Sequence, residues 1–212
     1  MNKTDTEYLR SLQKNAIEMR IYLGNKAKAE RERSVCRAFL RTIGVVFKET
    51  EIVAVKDEPP DTLFRSAQFE IRELIEPDRK RHEEWKEKEK KYSEANSLDE
   101  LLEPYSPPTP VELLELVPEI VQSLSEKAMK YGAKCSDIDA LVYVNLKNQY
   151  LEVDSDIPDL DELRSQGWRS VSLLFPPYGV ILFAGPMAPD FLRTLAPSHY
   201  VKYEDICSLF DA

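Results

Sequence analysis

The segment DALVYVNL, residues 139–146, is apolar almost without interruption. A strand with one wet face needs only alternate apolar residues, so a continuous run belongs to a strand covered on both faces, in the middle of a sheet with helices on either side. That requirement points to an α/β chain: a mixed sheet flanked by helices.

The rest of the chain supplies the partners. EIVAV (51–55), TLFRS (62–66) and QFEIRELI (68–75) predict a meander of three short strands. SVSLLF (170–175) and GVILFA (179–184), joined by Pro176-Pro177-Tyr178, predict a terminal hairpin at about 170–184. Residues 5–23 carry Tyr8, Leu9, Leu12, Ala16, Met19 and Leu23 at helical spacing. A second helix over about 26–43 buries Val35, Cys36, Phe39, Leu40 and Ile43, stops at Gly44, and has Glu32 one turn earlier on the same stripe. A third, over VELLELVPEIVQSLSEKAMKYGA, should kink or restart at Pro118 and stop at Gly132. Between them, PYSPPTP (104–110) reads as a linker or wrapping loop. Residues 76–96 hold seven acidic and seven basic residues and read as a charged insertion, either an exposed helix or a mobile segment.

A length of 212 residues leads to the expectation of a single domain over 1–212, with a core at about 26–147. No apolar run has membrane-spanning length and the first residues lack a secretory core, so a cytoplasmic location without membrane contact is expected. Cys36, Cys135 and Cys207 have no CxxC spacing and read as reduced thiols filling the core. The net charge of -9 argues against a chain that coats nucleic acid through its overall field. Locally, Lys26, Lys28, Arg31, Arg33, Arg37 and Arg41 outnumber Glu30 and Glu32 by four, so this stretch is the one expected to meet phosphates.

Along a strand side chains alternate, so Glu70 and Arg72 share one face while Phe69 and Ile71 take the other. Asp61 follows Pro59-Pro60 at the head of the preceding strand, where a hairpin would lay it beside Glu70. Glu32, aimed inward from its helix, would be a third acid, because a carboxylate turned to a core needs a cation. Paired carboxylates are what magnesium-dependent phosphodiester cleavage requires.

The order αβββαβ, with Pro60-Asp61 and Glu70-Ile71-Arg72, resembles the PD-(D/E)XK nuclease superfamily. More narrowly, ERERSVCRAFL (30–40), EPPDTLFRSAQFE (58–70), the stretch 79–85 and GWRSVSLL (167–174) resemble a bacterial family labelled as endonucleases, domain of unknown function 1780. The resemblance implies a restriction-endonuclease-like fold and a bacterial endonuclease using Mg2+ or Mn2+. It places the metal on Asp61 and Glu70, with the Ile71 carbonyl as an extra ligand and Glu32 as outer acid. The superfamily has Lys where Arg72 stands. Arginine keeps its proton at physiological pH, so Arg72 would clamp phosphate rather than act as base, and Lys147 is the candidate for the missing ammonium. Arg33 and Arg79 are candidates for further phosphate contacts.

Each residue also has a plainer role. Asp61 suits a turn, Glu70 and Arg72 suit an ion pair, and the charges at 30–33 suit a solvated helix face. Pro-Asp recurs at Asp78, Asp159 and Asp190, and a rival register using Asp78, Glu84 and Lys86 lies in the charged insertion without strand periodicity. His82 and His199 have no metal-binding spacing and are expected on the surface; Trp85 and Trp168 could stack on bases or simply pack. Two functions are carried forward: a metal-dependent endonuclease with nucleic acid as partner, or a nuclease fold without catalysis that serves as a protein-interaction or regulatory module. Homo-oligomerisation stays open.

Overall fold

The structure is a computed structural model that describes residues 3–57, 59–153, 157–158, 160–196 and 200–211. Asp159 and His199, named above, lie outside the described residues. In chain order the elements are α1 (Lys3–Tyr22), α2 (Lys28–Thr42), β1 (Ile52–Ala54), β2 (Thr62–Phe64), β3 (Ala67–Leu74), α3 (Arg81–Glu94), β4 (Thr109–Glu112), α4 (Leu113–Tyr131), β5 (Asp139–Val144), β6 (Gln149–Glu152), α5 (Asp161–Ser165), β7 (Ser170–Phe175), β8 (Tyr178–Ala184), α6 (Asp190–Leu195) and β9 (Val201–Lys202). The chain divides into two compact units, one of residues up to 31 with 77–107 and one of 32–76 with the residues from 108 onward.

The first unit pairs α1 with α3. The charged insertion is a helix with no buried residue, so burial contributes little to it. Polar contacts hold it instead: Arg20 pairs with Glu89, and Gln13 Nε2 donates to the Tyr92 carbonyl at 2.8 Å. At the end of α1, Arg31 Nη1 donates to the carbonyls of Tyr22 (2.6 Å) and Gly24 (2.7 Å), groups a helix end leaves without partners.

The second unit is built on a seven-stranded mixed sheet in the order β1-β2-β3-β5-β7-β8-β9. The meander β1-β2-β3 is antiparallel, β3, β5 and β7 run parallel, and β7-β8-β9 return antiparallel. A parallel neighbour requires a crossover, and α4 lies on the one from β3 to β5. The expected central strand is therefore central, with Ala140, Val142 and Val144 entering one core and Leu141 the other.

On one face α4 packs Leu116, Ile120 and Leu124 against Val142, Leu173 and Leu182. On the other, Cys36, Phe39 and Leu40 of α2 meet Phe64, Phe69 and Ile181, with the Phe39 and Phe69 rings edge to face at 5.9 Å. Gly179 permits the approach of α2 to β8, since a Cβ there would lie 2.9 Å from Thr42 Cγ2.

Several expectations need correction. Cys36 and Cys135 are buried, but Cys207 is exposed. The helix does not restart at Pro118, because α4 runs through it from Leu113 to Tyr131. The end of the Pro-rich segment is a strand, because β4 pairs in parallel with β6 as a separate two-stranded sheet. Among the described residues no helix is long and apolar enough to cross a membrane.

Candidate functional site

Alternation along β3 decides the site. Phe69 enters the core beneath α2, so Glu70 and Arg72 turn to the opposite face and meet α4. Glu70 is fully buried. Its Oε1 accepts from Lys127 Nζ at 2.5 Å and from the Tyr131 hydroxyl at 2.8 Å, while Lys127 Nζ also lies 3.1 Å from that hydroxyl. Oε2 is buried with no hydrogen-bond partner among the described residues.

Asp61, also buried, sits one step beyond the Thr62–Phe69 pair, opposite Glu70. Its own N–H donates to the Phe69 carbonyl at 3.0 Å and its Oδ2 accepts from the Ile71 N–H at 2.8 Å, so it brackets Glu70 along the strand. Arg72 Nε donates to Ser123 Oγ at 2.6 Å, and Nη2 lies 3.8 Å from Glu126.

Glu32 does not join these acids. It lies on α2, half-buried, on the side of the sheet that Phe69 faces, whereas Glu70 faces α4. Among the described residues no three His, Cys, Asp or Glu side chains gather closely enough to hold a metal ion. What the sheet offers is a pair of carboxylates, and magnesium is often held by one or two, its other positions taken by water and phosphate.

The remaining candidates are placed elsewhere. Arg33 Nε donates to the Ile52 carbonyl at 3.2 Å, and Arg79 Nε to Glu84 Oε2 at 3.0 Å. Arg37, buried, pairs with Glu49 at 2.8 Å, and Arg41 Nη1 collects the carbonyls of Ser208, Leu209 and Asp211. The basic stretch thus fastens the chain to itself. Lys147 is exposed beyond the end of β5, with its N–H bonded to Glu76; the ammonium at Glu70 belongs to Lys127. Asp78 lies in a turn and Glu84 and Lys86 on α3, away from any strand. Trp168 is buried, donating to Gln166 Oε1 at 3.2 Å, and Trp85 lies under the Lys88 ammonium at 4.5 Å. His82 lies on α3 beside Glu83.

Lys127 and Tyr131 were missing from the sequence reading. Their signal is a polar stripe, Ser123-Lys127-Tyr131, at four-residue spacing within the inward arc of α4. Burial pulls the Lys127 pKa down, but the hydrogen bonds to Glu70 and Tyr131 outweigh it and hold it above its ordinary value. Burial raises the Tyr131 hydroxyl to about 12. Both groups therefore keep their protons at neutral pH, as donors to Glu70.

The elements around the site follow the order α2-β1-β2-β3-α4-β5, with α3 and β4 inserted. Residues 4–204 match a family described as "Putative endonuclease, protein of unknown function (DUF1780)". The chain belongs to this family. A solved structure similar to this DUF1780 chain is a protein of unknown function from Pseudomonas aeruginosa strain PAO1, described as of the monooxygenase superfamily. It is 28% identical, with a TM-score of 0.67, over 96% of this chain and 97% of that one. No curated protein matches the chain.

Proposed function

We propose that this DUF1780 chain hydrolyses phosphodiester bonds of nucleic acid in a magnesium- or manganese-dependent reaction, on a core of the PD-(D/E)XK type. The observation that carries the reading is the pair of buried acids facing each other across the start of β2 and β3, Asp61 and Glu70, with one Glu70 oxygen lacking a hydrogen-bond partner among the described residues. Hard oxygen donors of this kind suit a magnesium ion, so the donor set fits. Asp61, Glu70 and the Ile71 carbonyl would hold it, and when bound it would acidify a water and neutralise phosphate charge. Arg72 would bind the phosphate, and Lys127 brings to Glu70 the ammonium that the motif carries on the strand. Acids, an ammonium and a phenol are groups for ion binding and hydrolysis, so they favour the endonuclease description over the oxygenase one.

The test is nicking of DNA and of RNA with either ion. Wild type should cut, while Asp61→Asn and Glu70→Gln should lose roughly a hundredfold or more in rate. Variants that cut like wild type would remove the site. A wild type that neither cuts nor gains thermal stability from either ion would remove the enzyme.

One observation favours the second reading. Glu70 has no exposed surface and Arg72 is held by Ser123, which is the arrangement of a nuclease-like fold closed for catalysis and used as a protein-interaction or regulatory module. Failure of both assays would leave that reading standing.

A further inference from the structure

A carboxylate removed from water is tolerated only beside a cation and with its lone pairs satisfied. Glu70 meets half of that condition. Lys127 and Tyr131 both address Oε1, and Oε2, in the same buried place, has no hydrogen-bond partner among the described residues. Asp61 stands across the strand pair with its Oδ2 accepting from the Ile71 N–H, so a second buried carboxylate adjoins Glu70.

Lys127 also differs from its partners in freedom. Glu70 is fixed by a strand between β2 and β5, whereas Lys127 hangs from the surface of α4 on a flexible stem, with 24% of its side chain exposed. Such a side chain can carry its head into water while its stem stays packed. Tyr131, four residues along the same helix, can keep its hydroxyl bond to Glu70 after the ammonium leaves.

We infer that Lys127 is a place-holder for the divalent ion: its ammonium occupies the cation position at Glu70 in the empty site and swings outward when an ion enters. This rests on the reading of Asp61 and Glu70 as ion ligands. The exchange keeps the buried carboxylate neutralised in both states, and it frees an ammonium at the mouth of the site as the ion arrives. Ion affinity in the wild type is then lowered by competition from the protein's own side chain.

The inference is tested with Mn2+ alone, by calorimetric titration and thermal melting of the full chain without nucleic acid. Lys127→Met keeps the length of the side chain and removes the charge. Without Mn2+ it should melt below wild type; with Mn2+ it should recover, and its Kd should be roughly tenfold tighter or more. If it fails to fold, Lys127→Gln, which retains a donor for Oε1, takes its place. The double variant Glu70→Gln/Lys127→Met should melt near wild type and ignore Mn2+. Equal Kd values in wild type and variant, or a destabilisation that Mn2+ does not repair, would overturn the place-holder role and leave the ion site intact. No Mn2+ binding to any of the proteins would overturn both.

Discussion

Asp139 and Arg169 are joined through both carboxylate oxygens, Nε to Oδ1 at 3.0 Å and Nη2 to Oδ2, at the foot of the parallel strands. The same carboxylate accepts from the Gln68 N–H at 3.0 Å and the Ser170 hydroxyl at 2.7 Å, so one buried residue ties β3, β5 and β7 together. Asp139→Ala should cost about 3–5 kcal/mol, because it strands a guanidinium with little access to water. Urea denaturation measures the loss; a cost under about 1 kcal/mol, the scale of an exposed pair, would show that the clamp does not hold the sheet.

Asp61 has a structural duty apart from any ion. Asp61→Ala leaves the Ile71 N–H without its partner and should cost about 1–3 kcal/mol in urea unfolding even with no divalent ion present. Added Mn2+ should then stabilise wild type and not the variant. A variant as stable as wild type in ion-free buffer would mean that another group satisfies Ile71.

Alkaline pH should unfasten α4 from β3. Lys127 and Tyr131 both have raised values in the folded chain, so their contributions are complete below their ordinary values and fade as pH rises through the raised ones. For Tyr131 the window runs from its ordinary 10.0 to about 12. Denaturation curves across this window should show stability falling more steeply in wild type than in Tyr131→Phe. Parallel slopes would remove Tyr131 from the linkage.

At Gly179 β8 comes close against Thr42 of α2. Gly179→Ala should destabilise by about 1–3 kcal/mol, the usual cost of overpacking, because its methyl would press on Thr42 Cγ2. Thr42→Ser removes that methyl, so the pair should be less destabilised than the sum of its parts. Strict additivity would place the clash elsewhere.

The sheet was legible because its signals are local. Unbroken apolarity at 139–146 and the hairpin flanking Pro176-Pro177 each lie within one segment, and alternation at 69–72 correctly put Glu70 and Arg72 on one face. Which face was not legible. Glu32 was expected beside Glu70 because inward on a helix and inward on a strand look alike in sequence, although a sheet has two insides. β4 escaped notice because it arises in a Pro-rich segment and exists only through pairing with β6. Lys127 escaped because ion-pair partners are set by packing, and the helical stripe that betrays it is polar where apolar residues were sought.

The crossover from β3 to β5 brings Glu70 a cation from far along the chain. Glu70 and its ammonium are 57 positions apart, yet α4 returns over the strand and delivers the charge that, on the proposed nuclease reading, position 72 would supply. Chemistry at this point depends on where a charge arrives and is indifferent to the segment that brings it. The two addresses are then interchangeable over evolution: a family member with lysine in the place of Arg72 should tolerate an uncharged residue in the place of Lys127, and the two positions should vary as a pair.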